Sequence, residues 1–131
     1  MKKITSEWIN KAKKDLLVAQ REMREEEPVY DAVCFHSQQA VEKYLKAFLQ
    51  ENEIYFEKTH DLEILGEKCK NILPEIEKIK EKLIKLSIYS VEVRYPGVET
   101  TKKEAEESLE TAIIVEKIMK KYFKLEEEEN G

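Results

Sequence analysis

Residues that break helices are scarce in this chain: its 131 residues include three glycines and three prolines. So few breakers leave little room for a hairpin-built or loop-rich fold. Two cysteines, Cys34 and Cys69, stand far apart with no CxxC spacing and no histidine at metal-ligand distance. That pattern argues against a disulfide scaffold or a metal site and leaves two buried free thiols as the expectation. No apolar run approaches a membrane span, and Met1-Lys2-Lys3-Ile4 leads into charges rather than a signal-peptide core. A cytoplasmic protein with no membrane partner is expected. Positive charge is also short. The net charge of −5 lacks the field of a sequence-independent nucleic-acid coat, although a small local anion site is compatible with it.

What is present is helical material. Charged residues make up 39% of the chain, with 25 glutamates against 3 aspartates and 20 lysines against 3 arginines. A Lys/Glu skew of this kind is found in hyperthermophile proteins and equally in any chain with a helix-rich surface. The length fits one domain with a real core. That domain is expected over residues 1–125, with 126–131 a frayed acidic tail.

The pattern predicts an all-α, antiparallel up-and-down helical bundle of four long helices plus one short helix. The first helix is expected from Thr5 to Glu26, capped by Thr5 or Ser6, with Trp8, Ala12, Leu16, Ala19 and Met23 on one face. Pro28 precedes a second helix over Tyr30–Glu51, and the short connection implies antiparallel neighbours. After a loop over Asn52–Thr59, Thr59 or Asp61 can cap a short helix over Leu62–Asn71, which Gly66 weakens. Pro74 opens a fourth helix with Ile72, Ile76, Ile79, Leu83 and Leu86 as its core stripe, and Pro96-Gly97 ends it. The last helix runs from about Thr101, in a Thr101-x-x-Glu104 capping box, to about Leu125.

The second helix is the informative one. At about 3.6 residues per turn, Cys34, Ser37, Val41, Tyr44, Leu45 and Phe48 share one apolar stripe. The opposite side carries Ala32, Phe35, His36, Gln39 and Ala47, with Lys43 and Lys46 its charges. Small, aromatic and amide side chains on a second face suggest that it is covered too. Ala32, Phe35, His36 and Gln39 are therefore the expected dimer or partner interface.

In the fourth helix the core stripe turns polar through Ser87 and Ser90 to Arg94. An arginine so placed suits bidentate phosphate or carboxylate recognition, or it pairs with a carboxylate such as Glu42 and pins the loop. Tyr95 beside it offers a stacking surface. His36 reads as a packed or interface histidine, and His60 as making a cap or loop contact. The lysine clusters Lys11/Lys13/Lys14, Lys78/Lys80/Lys82/Lys85 and Lys117/Lys120/Lys121/Lys124 interleave with glutamates, Glu77 with Lys80 and Glu116 with Lys120 among them, as on a solvated, ion-paired surface. No catalytic triad, glycine-rich phosphate loop or metal motif is present, so neither catalytic residues nor metal ligands are assigned and no cofactor is expected.

Four pieces in order then carry a resemblance. They are Trp8-x-x-x-Ala12-x-x-Asp15-Leu16, Cys34-Phe35-His36-Ser37-Gln38-Gln39-Ala40-Val41-Glu42-Lys43, Thr59-His60-Asp61-Leu62 and Arg94-Tyr95-Pro96. Together they resemble the HEPN domain family (higher eukaryotes and prokaryotes nucleotide-binding) over nearly the whole chain. The resemblance implies a helical bundle, a homodimer, nucleotide or RNA binding, and pairing with a minimal nucleotidyltransferase as in toxin–antitoxin pairs. HEPN ribonucleases carry an arginine followed four to six residues later by a histidine. Arg94 is followed by Tyr95-Pro96-Gly97-Val98-Glu99-Thr100-Thr101, without a histidine. A non-catalytic binding or partner subunit is the resulting expectation, with a nucleotide as its possible ligand and Arg94, Tyr95, Lys43 and Gln39 as its expected nucleotide- or phosphate-binding residues. The alternatives are a divergent ribonuclease using Arg94 with His36 or His60, and a purely structural dimerisation protein.

Overall fold

The helix with two covered faces, Tyr30–Glu51 (α2), is the axis of the molecule, and its bounds coincide with those expected from the sequence. In the computed structural model, which describes residues 1–92 and 95–125, α2 packs against Lys3–Met23 (α1), Leu62–Cys69 (α3), Lys80–Glu92 (α5) and Lys102–Phe123 (α6). A five-residue helix, Pro74–Lys78 (α4), lies between α3 and α5. No strand occurs among the described residues. The all-α bundle is as expected.

Inter-helix bonds fix the directions. The Lys2 amide donates to Glu51 at 3.0 Å, so the start of α1 meets the end of α2 and the two run antiparallel. Cys34 meets Ser108, and Tyr44 meets Glu116, so α2 and α6 run the same way. Tyr89 donates to Glu107, and Lys82 pairs with Glu110, so α5 opposes α6. The result is the up-and-down order.

The core stripe of α2 is buried throughout, with Tyr44, Leu45 and Phe48 fully inaccessible. Ala12 and Leu16 from α1, Leu62 and Leu65 from α3, Leu83 from α5, and Ala112 and Met119 from α6 complete the same core. Burying each large aliphatic side chain contributes about 1.5–3 kcal/mol. Both thiols are buried and free, and burial pushes Cys34 up to about 11 and Cys69 up to about 12.

Several boundaries differ from the sequence reading. α1 starts at Lys3 with Lys2 as N-cap and no side-chain cap, because Thr5 is turned into the interior, fully buried. It stops at Met23, three residues before Glu26. α3 ends at Cys69 rather than Asn71, with Asp61 capping it through bonds from the Glu63 and Ile64 amides. The long fourth helix is broken at Ile79, whose φ of −110° and ψ of 22° leave the helical range. Ile72 is exposed, and Leu73 takes the buried place expected for it. α6 has the expected capping box, Thr101 and Glu104 each bonding the other's amide at 3.1 Å, and it ends at Phe123.

Gly66 has a positive reason to be glycine. A Cβ there would sit 2.9 Å from Leu83 Cδ1 and 3.3 Å from Ile76 Cγ2, so its absence lets α3 close onto α4 and α5. The expected tail over 126–131 lies outside the described residues, as does Arg94.

Candidate functional site

On α2 the residues Gln38, Glu42 and Lys46 recur every fourth position and so form one line along the helix. All three are buried, Glu42 to 4% and Lys46 to 6% exposure. A carboxylate taken so far from water must be paired and hydrogen-bonded. Lys46 Nζ lies 2.8 Å from Glu42, Gln38 Nε2 donates to Glu42 at 3.1 Å, and His60 Nδ1 lies 3.0 Å from it. Gln38 also donates to the His60 carbonyl at 3.1 Å, and Gln39 donates to Gln38 Oε1 at 2.9 Å. His60 thus ties its loop to α2, while the cap of α3 is Asp61 alone. Ser87 Oγ accepts from the Leu62 amide, which fixes the start of α3 against α5.

One turn away on the same helix is a second, less buried cluster. Asp15 of α1 places one carboxylate oxygen 2.9 Å from His36 Nδ1 and the other 2.5 Å from Lys43 Nζ. Lys43 shares an open depression of about 190 Å³ with Lys11, Lys14, Asp15 and Val18. Three lysines against one carboxylate leave this depression net positive. With Nδ1 held by Asp15, the other imidazole nitrogen of His36 remains for a ligand or a proton.

The structure therefore brings together His36 and Lys43, through Asp15, and places Gln39 at the end of the Gln38–Glu42 chain. Part of the second face of α2 is covered by the chain itself. Ala47 is fully buried, and Lys46 Nζ lies 5.6 Å from the Trp8 ring centroid and 6.0 Å from that of Phe56. Ala32, His36 and Gln39 are half-buried, and Phe35 is 38% exposed with its ring edge-on to His36 at 5.2 Å. Tyr95 is 60% exposed, and its side chain makes no hydrogen bond to Gln39 or Lys43. Arg94 falls outside the described residues.

The chain's own motif pieces meet in these clusters: Trp8 and Asp15 from α1, His36 to Lys43 from α2, and His60 from the loop. A model of the HEPN domain matches residues 5–122. The chain belongs to the HEPN domain family. The crystal structure of ST0689, an archaeal HEPN homologue, superposes on this HEPN chain with a TM-score of 0.68 at 28% identity, covering 93% of this chain and 98% of that one. No curated protein matches the sequence.

The sequence reading missed Asp15 as a site residue, having met it only within the family motif. It also placed Lys11 and Lys14 among solvated surface lysines. The available signal was a lone aspartate in this helix, in a chain whose acidic residues are almost all glutamate. Elsewhere the expected pairing holds for Glu116 with Lys120 at 3.7 Å, although both are half-buried rather than solvated, whereas Lys80 pairs with Glu63 across helices rather than with Glu77. Tyr44 donates to Glu116, and Tyr89 donates to Glu107. Burial raises both phenols, Tyr89 to about 12.

Proposed function

We propose that this HEPN chain is a non-catalytic binding subunit that engages the phosphate of a nucleotide or of RNA. It would act as a homodimer beside a minimal nucleotidyltransferase, as in toxin–antitoxin pairs. The observation that carries the reading is the depression holding Lys43, Lys11 and Lys14, with Asp15 fixing Lys43 and His36 at its edge. A lysine held this way gives a phosphate a charge-assisted hydrogen bond without the cost of ordering a free side chain, and the exposed Lys11 and Lys14 add positive charge. Arg94 and Tyr95 are proposed to add charge and a stacking surface, and Gln39 an amide. Ala32, Phe35, His36 and Gln39 are proposed to meet the second copy. The exposed ring of Phe35 supports that assignment. Titration calorimetry with ATP and with a short RNA tests the binding. Losing one charged bond should weaken it about tenfold or more in Lys43→Ala, and unchanged affinity would remove the site.

A specific contact keeps a second reading open. The Asp15–His36 bond is the arrangement that orients an imidazole for proton transfer. In this reading the chain is a divergent ribonuclease using His36 with Arg94. RNA cleavage by wild type that disappears in both His36→Ala and Arg94→Ala would replace the binding reading with this one.

A further inference from the structure

A second cavity, of about 710 Å³, opens where the first turns of α1 meet the last turns of α2 and the 53–58 loop. Trp8, Tyr55 and Phe56 supply flat walls, and Lys2, Lys46 and Lys58 supply charge. Its donors and acceptors are unbalanced. The one carboxylate lining it among the described residues, Glu53, lies 2.5 Å from Lys2 Nζ. Lys58 has no carboxylate partner among the described residues. The Trp8 indole N–H is buried and has no acceptor among the described residues. Lys46 sits over the Trp8 and Phe56 rings, so this wall is both aromatic and cationic. Tyr55 is 76% exposed, a large ring that the rest of the chain does not cover.

We propose that this cavity binds a small ring-bearing anion, either an aromatic carboxylate or a ring-bearing phosphate. The aromatic walls take the ring, and Lys58 provides the charge complement, because Lys46 is already paired with Glu42 and Lys2 with Glu53. The site uses none of the lysines of the Lys43 depression, so it stands or falls independently of the function proposed above.

Trp8 is the sole tryptophan in the chain, so tryptophan emission, excited selectively over the six tyrosines, reports on this cavity. The titration uses 4-nitrobenzoate, with 4-nitrobenzyl alcohol as the uncharged ring, inorganic phosphate as the ringless anion, and AMP as the ring-bearing phosphate. Circular dichroism confirms that each variant is folded. The expected result is saturable quenching by 4-nitrobenzoate, by AMP or by both, with neither control saturating. Whichever of the two saturates identifies the source. Lys58→Glu and Phe56→Leu, which leave the buried Glu42–Lys46 pair intact, should each weaken binding by about tenfold. Three results would overturn the proposal: no saturable change with either anion, an equal response to the uncharged ring, or binding lost in Lys43→Ala but kept in both cavity variants.

Discussion

His60 Nδ1 lies 3.0 Å from the Glu42 carboxylate, although the His60 side chain is 71% exposed and that of Glu42 only 5%. An outside residue thus completes the bonding of an inside one. Together with Gln38 and Lys46 it satisfies a carboxylate that could not otherwise be held in a bundle core, and it tethers the loop before α3 to the central helix.

Removing Glu42 should therefore be severe. Glu42→Ala leaves Lys46 buried and unpaired, and the loss should be about 3–5 kcal/mol. His60→Ala should cost less, because its partner keeps Lys46 and Gln38. Urea denaturation of both variants checks the order, and equal losses would contradict the nested arrangement.

Gly66 offers a graded test of helix closeness. Gly66→Ala gains about 0.8–1.0 kcal/mol of helix propensity against a contact with the end of the Leu83 side chain, so the two largely offset. Gly66→Val adds two methyl groups to the same gap and should lose about 1–3 kcal/mol. Thermal unfolding of the two variants reads the difference.

The capping box of α6 is exposed and local, which makes it a clean measurement. Thr101→Ala removes the hydroxyl that accepts from the Glu104 amide and should cost about 1 kcal/mol. Denaturant titration at neutral pH checks it.

The buried thiols set a pH dependence. Cys34 and Cys69 are raised in the folded chain from 9.0 to about 11 and about 12. Below pH 9 both states hold the protons, and stability is unaffected. Above it the unfolded chain loses them first, so the unfolded state binds fewer protons and stability falls as pH rises through about 9–12. Cys34→Ser and Cys69→Ala together should reduce that slope in denaturation curves recorded across the range, leaving the part set by the raised Tyr44 and Tyr89 phenols.

Much of the fold was legible because helical periodicity is a local signal. α2 has the expected bounds, and its stripe from Cys34 to Phe48 is core. The break at Ile79 was not legible, since Ile76, Ile79 and Leu83 continue the spacing of one helix and tertiary packing divides it. The site was legible in part. Gln38, Glu42 and Lys46 stand at visible fourth-residue spacing, but nothing local says that such a polar line is buried. The Asp15–Lys43 pair joins two helices, and its register exists only once α1 and α2 have packed.

The most direct test of the central reading, a phosphate-binding HEPN subunit, is calorimetric titration of the wild-type chain with ATP and with a short RNA, repeated for Lys43→Ala and Arg94→Ala. The account predicts saturable binding of at least one of the two that weakens about tenfold or more in Lys43→Ala and also falls in Arg94→Ala. Binding unchanged in both variants, or no binding by the wild type, would contradict it.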